Sequence, residues 1–292
     1  MLTYEIGCTD HCRRLESFLR TLMPTSPFGY ARKLIKNGAA RLNGDAVTAD
    51  MLLALHDTVT LKESCATTGY ISLLRPPLDI LYEDSLILVV NKPSGLPMHR
   101  TAEFEDNLVE VGQEYMIQRE TPCKLYPVNR LDRGTSGTVM LAKSSSSAGI
   151  YGRLVKETGL DKLYLALVWG ACDDCGVVEE ALDGKESETR YQTVMAGDNC
   201  SLLAVTPISG RMHQIRRHLS TIGHPVVADK RYGGGEMPDL PGFALHSFRT
   251  VLNRVEAGPV TICAPLADDM LNLCEQRGIG RDDLMEIVRR LA

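Results

Sequence analysis

No long apolar run interrupts this 292-residue sequence; the longest clean stretch, Leu86 to Val90, is far short of the ~20 residues a spanning helix needs. No membrane association is therefore expected. The N-terminus, MLTYEIGCTDHCRRLESFLR, carries charges throughout and lacks the apolar centre of an export signal, so a cytoplasmic location is expected. Cysteines do not form an even, regular set: there are nine, scattered, which argues against a disulfide framework. Positive charge is not in excess either. With 37 acids against 32 bases the net charge is -5, which excludes a wholly basic nucleic-acid binder. There is no internal repeat and no low-complexity tract. Hydrophobic residues at 44% and charged residues at 24% instead describe a chain able to bury a core, and its length suits about two domains.

The first 62 residues read as a small module. Leu15, Phe18, Leu19 and Leu22 share one helix face, and Pro24 and Pro27 end that helix. A second short helix is expected from Phe28 to Lys36, stopped by Asn37-Gly38. Asn43-Gly44 between Ala40–Asn43 and Ala46–Val47 signals a hairpin, and Val59 to Leu61 suits a last strand. Residues 10 to 62 hold eight Lys or Arg against five Asp or Glu, so the module is positive while the chain is negative. Residues 63–79, with Thr67-Thr68-Gly69 and Pro76-Pro77, read as a linker, and a larger domain fills 80–292. Its expected strands are Leu86–Asn91, Thr138–Ala142, Leu163–Trp169, Arg190–Met195 and Ser201–Pro207. Its expected helices are Asn107–Arg119, Ala148–Thr158, Met212–Thr221 and a tail helix over 282–292 behind an aspartate N-cap.

Three segments are dense in reactive side chains. In Pro127 to Leu141, Asp132 stands between Arg130 and Arg133, in a Gly/Thr/Ser loop that leads into an apolar strand. Such a segment is read either as a solvated turn with ion pairs or as a carboxylate positioned at a sheet end. In the second reading, flanking arginines favour its ionised, nucleophilic form. In Gly210 to Leu219, followed by Gly223 to Gly233, five cations between 211 and 231 face the single acid Asp229. On a helix His213 and Arg217 share one face, whereas His213 and His218 lack metal-ligand spacing. The third, Lys162 to Gly170, alternates weakly like a strand, and Tyr164 taken alone is a packing residue. Cys172 and Cys175, even with Cys8, His11 and Cys12, are a weak zinc pattern, so free thiols and no metal are expected.

Together these segments resemble the RluA family of pseudouridine synthases. The family's Arg-Leu-Asp-x-x-Thr-Ser-Gly is matched at 130–137 and its Lys-x-Tyr-x-Ala-x-Val-x-Gly at 162–170. Gly-Arg-x-His-Gln-Ile-Arg-x-His is matched at 210–218, and Gly-His-Pro with Asp and Tyr-Gly at 223–233. Asn-Lys-Pro-x-Gly with a later His falls at 91–99, and the late Leu-His is Leu245-His246. Residues 1–62 resemble the S4 RNA-binding module. Two positions depart from the pattern: Asn129 stands where the family has His, and Ala228 where it usually has Gly. Asn keeps hydrogen-bonding capacity but cannot carry charge.

The resemblance implies an α+β protein: the pseudouridine synthase fold, with a mixed, mainly antiparallel central sheet flanked by helices and loops, plus a small S4-like α/β module. It implies cofactor-free isomerisation of uridine in structured RNA, more in keeping with 23S ribosomal RNA than with tRNA, on a flipped-out base. Asp132 is implied as the essential carboxylate, attacking C6, attacking C1′ or taking the 2′ proton. Arg216 is implied as its charge partner, and Tyr164 as the residue that stacks on the base. RNA contacts are expected from Arg130, Arg133, Arg211, His213, Gln214 and Arg217, and in the module from Arg13, Arg14, Arg32, Lys33 and Lys36. No metal, nucleotide cofactor or membrane partner is implied, and a monomer is expected. The competing reading is a catalytically inactive RNA-binding or ribosome-assembly protein, favoured only by Asn129. A single candidate carboxylate argues against glycoside hydrolysis, which uses two.

Overall fold

The computed structural model describes the chain apart from residues 8–9, 24–25, 28, 65–66, 68–77, 100–105, 120, 159, 238–239 and 255–257. Much of the expected linker lies outside the described residues. The chain divides into two compact units, Met1–Pro77 with His99–Pro122, and Leu78–Met98 with Cys123–Ala292. No helix among the described residues is long and apolar enough to cross a membrane.

The first unit holds strand β1 (Leu2–Glu5), helices α1 (Leu15–Leu22) and α2 (Tyr30–Lys36), and strands β2 (Ala40–Leu42), β3 (Asp45–Ala46) and β4 (Thr58–Leu61). Helix α3 (Leu108–Gln118) belongs to it as well. The strands form an antiparallel sheet in the order β1-β4-β2-β3. Leu15, Phe18 and Leu19 of α1 and Ala31, Leu34 and Ile35 of α2 bury themselves with Ala40, Leu42, Val59 and Leu61. Helical and strand periodicities thus meet in one core, as the spacing requires. Asn43 and Gly44 both have positive φ, 53° and 90°, the tight hairpin that the pair predicts.

The second unit is built on strands β5 (Ile80–Glu83), β6 (Ile87–Lys92), β7 (Tyr126–Pro127), β8 (Ser136–Ala142), β9 (Asp161–Trp169), β10 (Cys175–Glu179), β11 (Glu188–Gly197), β12 (Cys200–Pro207), β13 (Leu245–Arg254) and β14 (Gly258–Cys263). Their order is β10-β11-β12-β9-β13-β8-β6-β5, with β7 on β8 and β14 on β13. Among the described residues all pairings are antiparallel except β13 with β8, so the α+β class with a mixed, mainly antiparallel sheet is observed. All seven residues of β8 are buried, which is why its sequence is small and apolar rather than alternating. Gly137 is required where β8 meets β13: its φ is 110°, and a Cβ there would sit 2.3 Å from the Ser247 carbonyl oxygen. Helices α4 (Ser145–Thr158), α5 (Gln214–Thr221), α6 (Asp268–Gln276) and α7 (Arg281–Leu291) complete the unit, with a 3-10 turn at Lys230–Tyr232.

Three expectations change. Helix α5 starts at Gln214, not Met212, because His213 adopts a left-handed φ of 54° that no right-handed helix admits. Helix α7 is preceded by Gly280 with no side-chain cap; Asp282 and Asp283 sit in its first turn, where they favour the helix dipole instead. Strand β13 went unpredicted because it carries His246, Ser247 and Thr250, polar residues that break an apolar strand pattern yet are fully buried.

Candidate active site

Asp132 lies in the loop between β7 and β8, its side chain 30% exposed. Three neighbours fix that loop. The Asn129 amide donates to the Thr138 carbonyl at 3.3 Å, and its oxygen accepts from the Met140 N–H at 2.8 Å, tying the loop to β8. The Thr135 N–H closes a turn on the Asp132 carbonyl at 3.1 Å. Lys92, at the end of β6, is fully buried and donates from Nζ to the carbonyls of Pro93 (2.9 Å), Leu96 (2.8 Å) and Arg133 (3.0 Å). Its three N–H groups therefore join the 93–96 turn to the residue after Asp132. Burial pushes the Lys92 amine down to about 7, against the pull of the Asp132 charge.

Arg216, on α5 and 5% exposed, bridges two carboxylates. Its Nε and one terminal nitrogen fork onto Asp229 at 2.6 and 2.9 Å, and its other terminal nitrogen donates to Oδ2 of Asp132 at 2.7 Å. Asp229 is 1% exposed, so the fork supplies the partner a buried carboxylate needs. The guanidinium also lies over two aromatic rings, 4.1 Å from the Phe243 centroid and 4.9 Å from that of Tyr232. With its Nε and one terminal nitrogen committed to Asp229, its remaining terminal nitrogen meets one oxygen of Asp132 at a fixed place.

Asp132, Arg216, Tyr164, Arg130, Lys162 and His213 help line one cleft of about 370 Å³. Tyr164 and Lys162 reach it from the same face of β9, two residues apart. Burial raises the Tyr164 phenol to about 12, keeping it a neutral hydroxyl, and lowers the Lys162 amine. His213 Nε2 stands 3.8 Å from Oδ1 of Asp132, and its Nδ1 lies 2.8 Å from the Tyr232 hydroxyl. Behind the loop, the Ser136 hydroxyl bonds Nδ1 of fully buried His246 at 2.8 Å, while Nε2 reaches the Ala264 carbonyl at 3.0 Å. Burial holds His246 neutral, with a pKa near 4, so it is a framework group. The cleft offers an oriented carboxylate, a fixed guanidinium and an aromatic wall, which suits nucleophilic or proton-transfer work on a flat, polar ring.

The other sequence candidates are distributed. Arg130 is exposed at the cleft. Arg133 is exposed and donates to the Gly95 carbonyl at 3.1 Å. Arg211 donates to the Glu186 carbonyl at 3.3 Å, and Arg217 pairs with Asp183 at 2.9 Å. Gln214 is 4% exposed, and its amide is committed to Ser209, the Arg211 N–H, Glu188 and Thr189. Arg13, Arg14, Arg32, Lys33 and Lys36 belong to the first unit. There Arg13 is part-buried against Asp10 and Thr21, and Arg32 pairs with Glu16 at 2.8 Å. Arg14, Lys33 and Lys36 are exposed. Cys172 and Cys175 are free thiols.

Sequence reasoning gave no role to Lys92, Asp229, Tyr232 or Phe243. Two carried a signal. Lys92 closes an apolar run just before Pro93, where a solvated lysine is out of place, and Asp229 is the lone acid in a basic stretch.

A family model described as RNA pseudouridylate synthase matches residues 86–221. The ribosomal large subunit pseudouridine synthase C of Vibrio vulnificus is 32% identical, covering 76% of this chain and 76% of its own. The protein of that name from Escherichia coli O157:H7 is 29% identical over 91% of this chain and 92% of its own. Among solved structures, human RNA pseudouridylate synthase domain containing 1 superposes with a TM-score of 0.56 at 25% identity, covering 73% of this chain and 94% of that one.

Proposed function

The chain belongs to the RNA pseudouridylate synthases, in their RluA branch, and from that premise we propose that it isomerises a specific uridine of large-subunit ribosomal RNA. The reaction class is that of the family: the N1–C1′ bond breaks, uracil turns, and a C5–C1′ bond forms with no change of mass. The ribosomal target rests on the relatives, which bear the name ribosomal large subunit pseudouridine synthase C.

The observation that carries the assignment of residues is the hold of Arg216 on Asp132 at 2.7 Å, from an arginine itself locked onto buried Asp229. All three chemical routes need an ionised carboxylate aimed into the cleft. A fixed guanidinium on one oxygen stabilises that charge. Tyr164 forms the wall on which a uracil stacks, entering as a neutral phenol. The target base must leave its helix stack to reach the cleft, which costs a few kcal/mol. Exposed Arg130 is placed to hold the displaced backbone. Residues 1–62 act as an S4-like RNA-binding module, with Arg32, Lys33 and Lys36 of α2 meeting phosphates.

Mapping of pseudouridines in ribosomal and transfer RNA, from cells with and without the gene, tests the target. Loss of one or more sites in large-subunit RNA, restored by the wild-type gene but not by Asp132→Asn, is the expected result. Loss confined to transfer RNA overturns the ribosomal assignment.

A further inference from the structure

The two oxygens of Asp132 have different surroundings. Oδ2 is taken by Arg216 at 2.7 Å. Oδ1 faces Nε2 of His213 at 3.8 Å, too long for a hydrogen bond. His213 is itself closely held. Its Nδ1 lies 2.8 Å from the Tyr232 hydroxyl, and the two rings meet edge to face with centroids 5.7 Å apart. The Tyr232 ring in turn stacks on the Arg216 guanidinium. His213 also carries a left-handed φ of 54°, a conformation that costs ~1 kcal/mol or more and is most often retained at functional sites.

We propose that His213 is a positioning residue for the isomerisation: the Tyr232 hydroxyl donates to Nδ1, which keeps the proton on Nε2, and this N–H is presented to the Oδ1 edge of Asp132 and to the substrate atom that meets it. The opposite tautomer would set the Nε2 lone pair towards the carboxylate's own lone pairs, a contact that at 3.8 Å only favours the Nε2–H form. The direct hydrogen bond at 2.8 Å, with Tyr232 as donor, is what fixes it. The charged groups around the ring are Asp132 from the catalytic loop, Arg216 from α5, and Arg231 and Asp229 from the turn that carries Tyr232. Burial outweighs them and lowers the affinity of the ring for a second proton. A neutral ring matters here. A cationic one would pair with Oδ1 and block it, whereas a neutral N–H at 3.8 Å leaves that oxygen available. Oδ2 thus serves for anchoring and Oδ1 for chemistry.

The inference rests on the pseudouridine synthase activity, but its first test needs no substrate. Nitrogen-15 NMR of histidine-labelled full-length protein, with His213 assigned through His213→Asn, reads the tautomer directly. The expected result is protonated Nε2 and a hydrogen-bonded, unprotonated Nδ1 at neutral pH, with both tautomers populated in Tyr232→Phe. A proton on Nδ1 in the wild type, or an unchanged tautomer in Tyr232→Phe, overturns the proposal. In activity, His213→Asn keeps a residue that accepts left-handed backbone but removes the ring. Its kcat should fall by about tenfold or more with little change in KM for RNA. Tyr232→Phe should move the acid limb of the kcat profile to higher pH, because Nδ1 loses its donor and accepts a proton more readily. An unchanged kcat in His213→Asn, or a rise in KM alone, would make His213 an RNA contact and nothing more.

Discussion

The Nζ of Lys92 lies 3.0 Å from the carbonyl oxygen of Arg133, so a fully buried amine holds the backbone one residue beyond the proposed catalytic Asp132. In the unfolded chain that amine keeps its proton up to about its ordinary 10.5, and in the folded protein only up to about 7. Between these values unfolding takes up a proton, so the group makes stability rise with pH across that window. Lys92→Met removes the slope. Chemical denaturation at pH 7 and pH 9 should show the wild type gaining on the variant by on the order of 2 kcal/mol. A difference between the two proteins that does not change with pH contradicts this.

Asp132→Asn keeps the size of the side chain and removes its charge. Pseudouridine formation should drop below detection while RNA affinity, measured by filter binding, stays within a few-fold. Substantial turnover by this variant would remove Asp132 from the proposed role.

Neighbouring arginines should differ sharply. Arg216→Ala strands Asp229, which is 1% exposed, and such a loss costs about 3–5 kcal/mol. Arg217 pairs with the exposed Asp183, and Arg217→Ala should change stability by less than ~0.5 kcal/mol. Activity should follow the same order. Arg216→Lys should not restore it, because an ammonium cannot fork onto Asp229 and reach Asp132 together. Thermal melts and single-turnover assays on the three variants read both effects.

Asn129 donates once and accepts once across to β8. Asn129→Ala leaves the buried Met140 N–H without that acceptor and should cost about 1–3 kcal/mol, lowering Tm. Asn129→His retains one donor and one acceptor and should stay near wild type in Tm and kcat. Equal losses in both variants would show that the amide itself is needed.

The role of α2 is read from salt. Replacing Arg32, Lys33 and Lys36 by Gln should weaken RNA binding and shrink the dependence of log affinity on log salt by about two to three. An unchanged slope would deny these side chains a phosphate contact.

Much of the fold was legible where local chemistry decides it. Asn43-Gly44 dictated a hairpin because both residues accept positive φ, and the apolar Val139–Ala142 marked β8 as a strand whose faces are both covered. The Arg-Leu-Asp and His-Gln-Ile-Arg segments pointed to residues that line one cleft, 84 positions apart in sequence. Legibility failed where burial reverses the usual meaning of a residue. The polar residues of β13 hid a strand, Lys92 stood only as part of a motif, and His213 read as the first turn of a helix. Each has its polar atoms satisfied by distant chain, and no local pattern encodes that.

The parallel pairing of β8 with β13 has a consequence for synthesis of the protein. Ser136 and His246 touch although they stand 110 positions apart, and Gly137 is pressed against the Ser247 backbone. The loop that presents Asp132 can therefore reach its working geometry only after the chain has been made past residue 247. Closing so long a loop is slow and entropically late. A ribosome-bound nascent chain shorter than this should be catalytically silent, and competence should appear as a late step, separable from the earlier formation of the first unit.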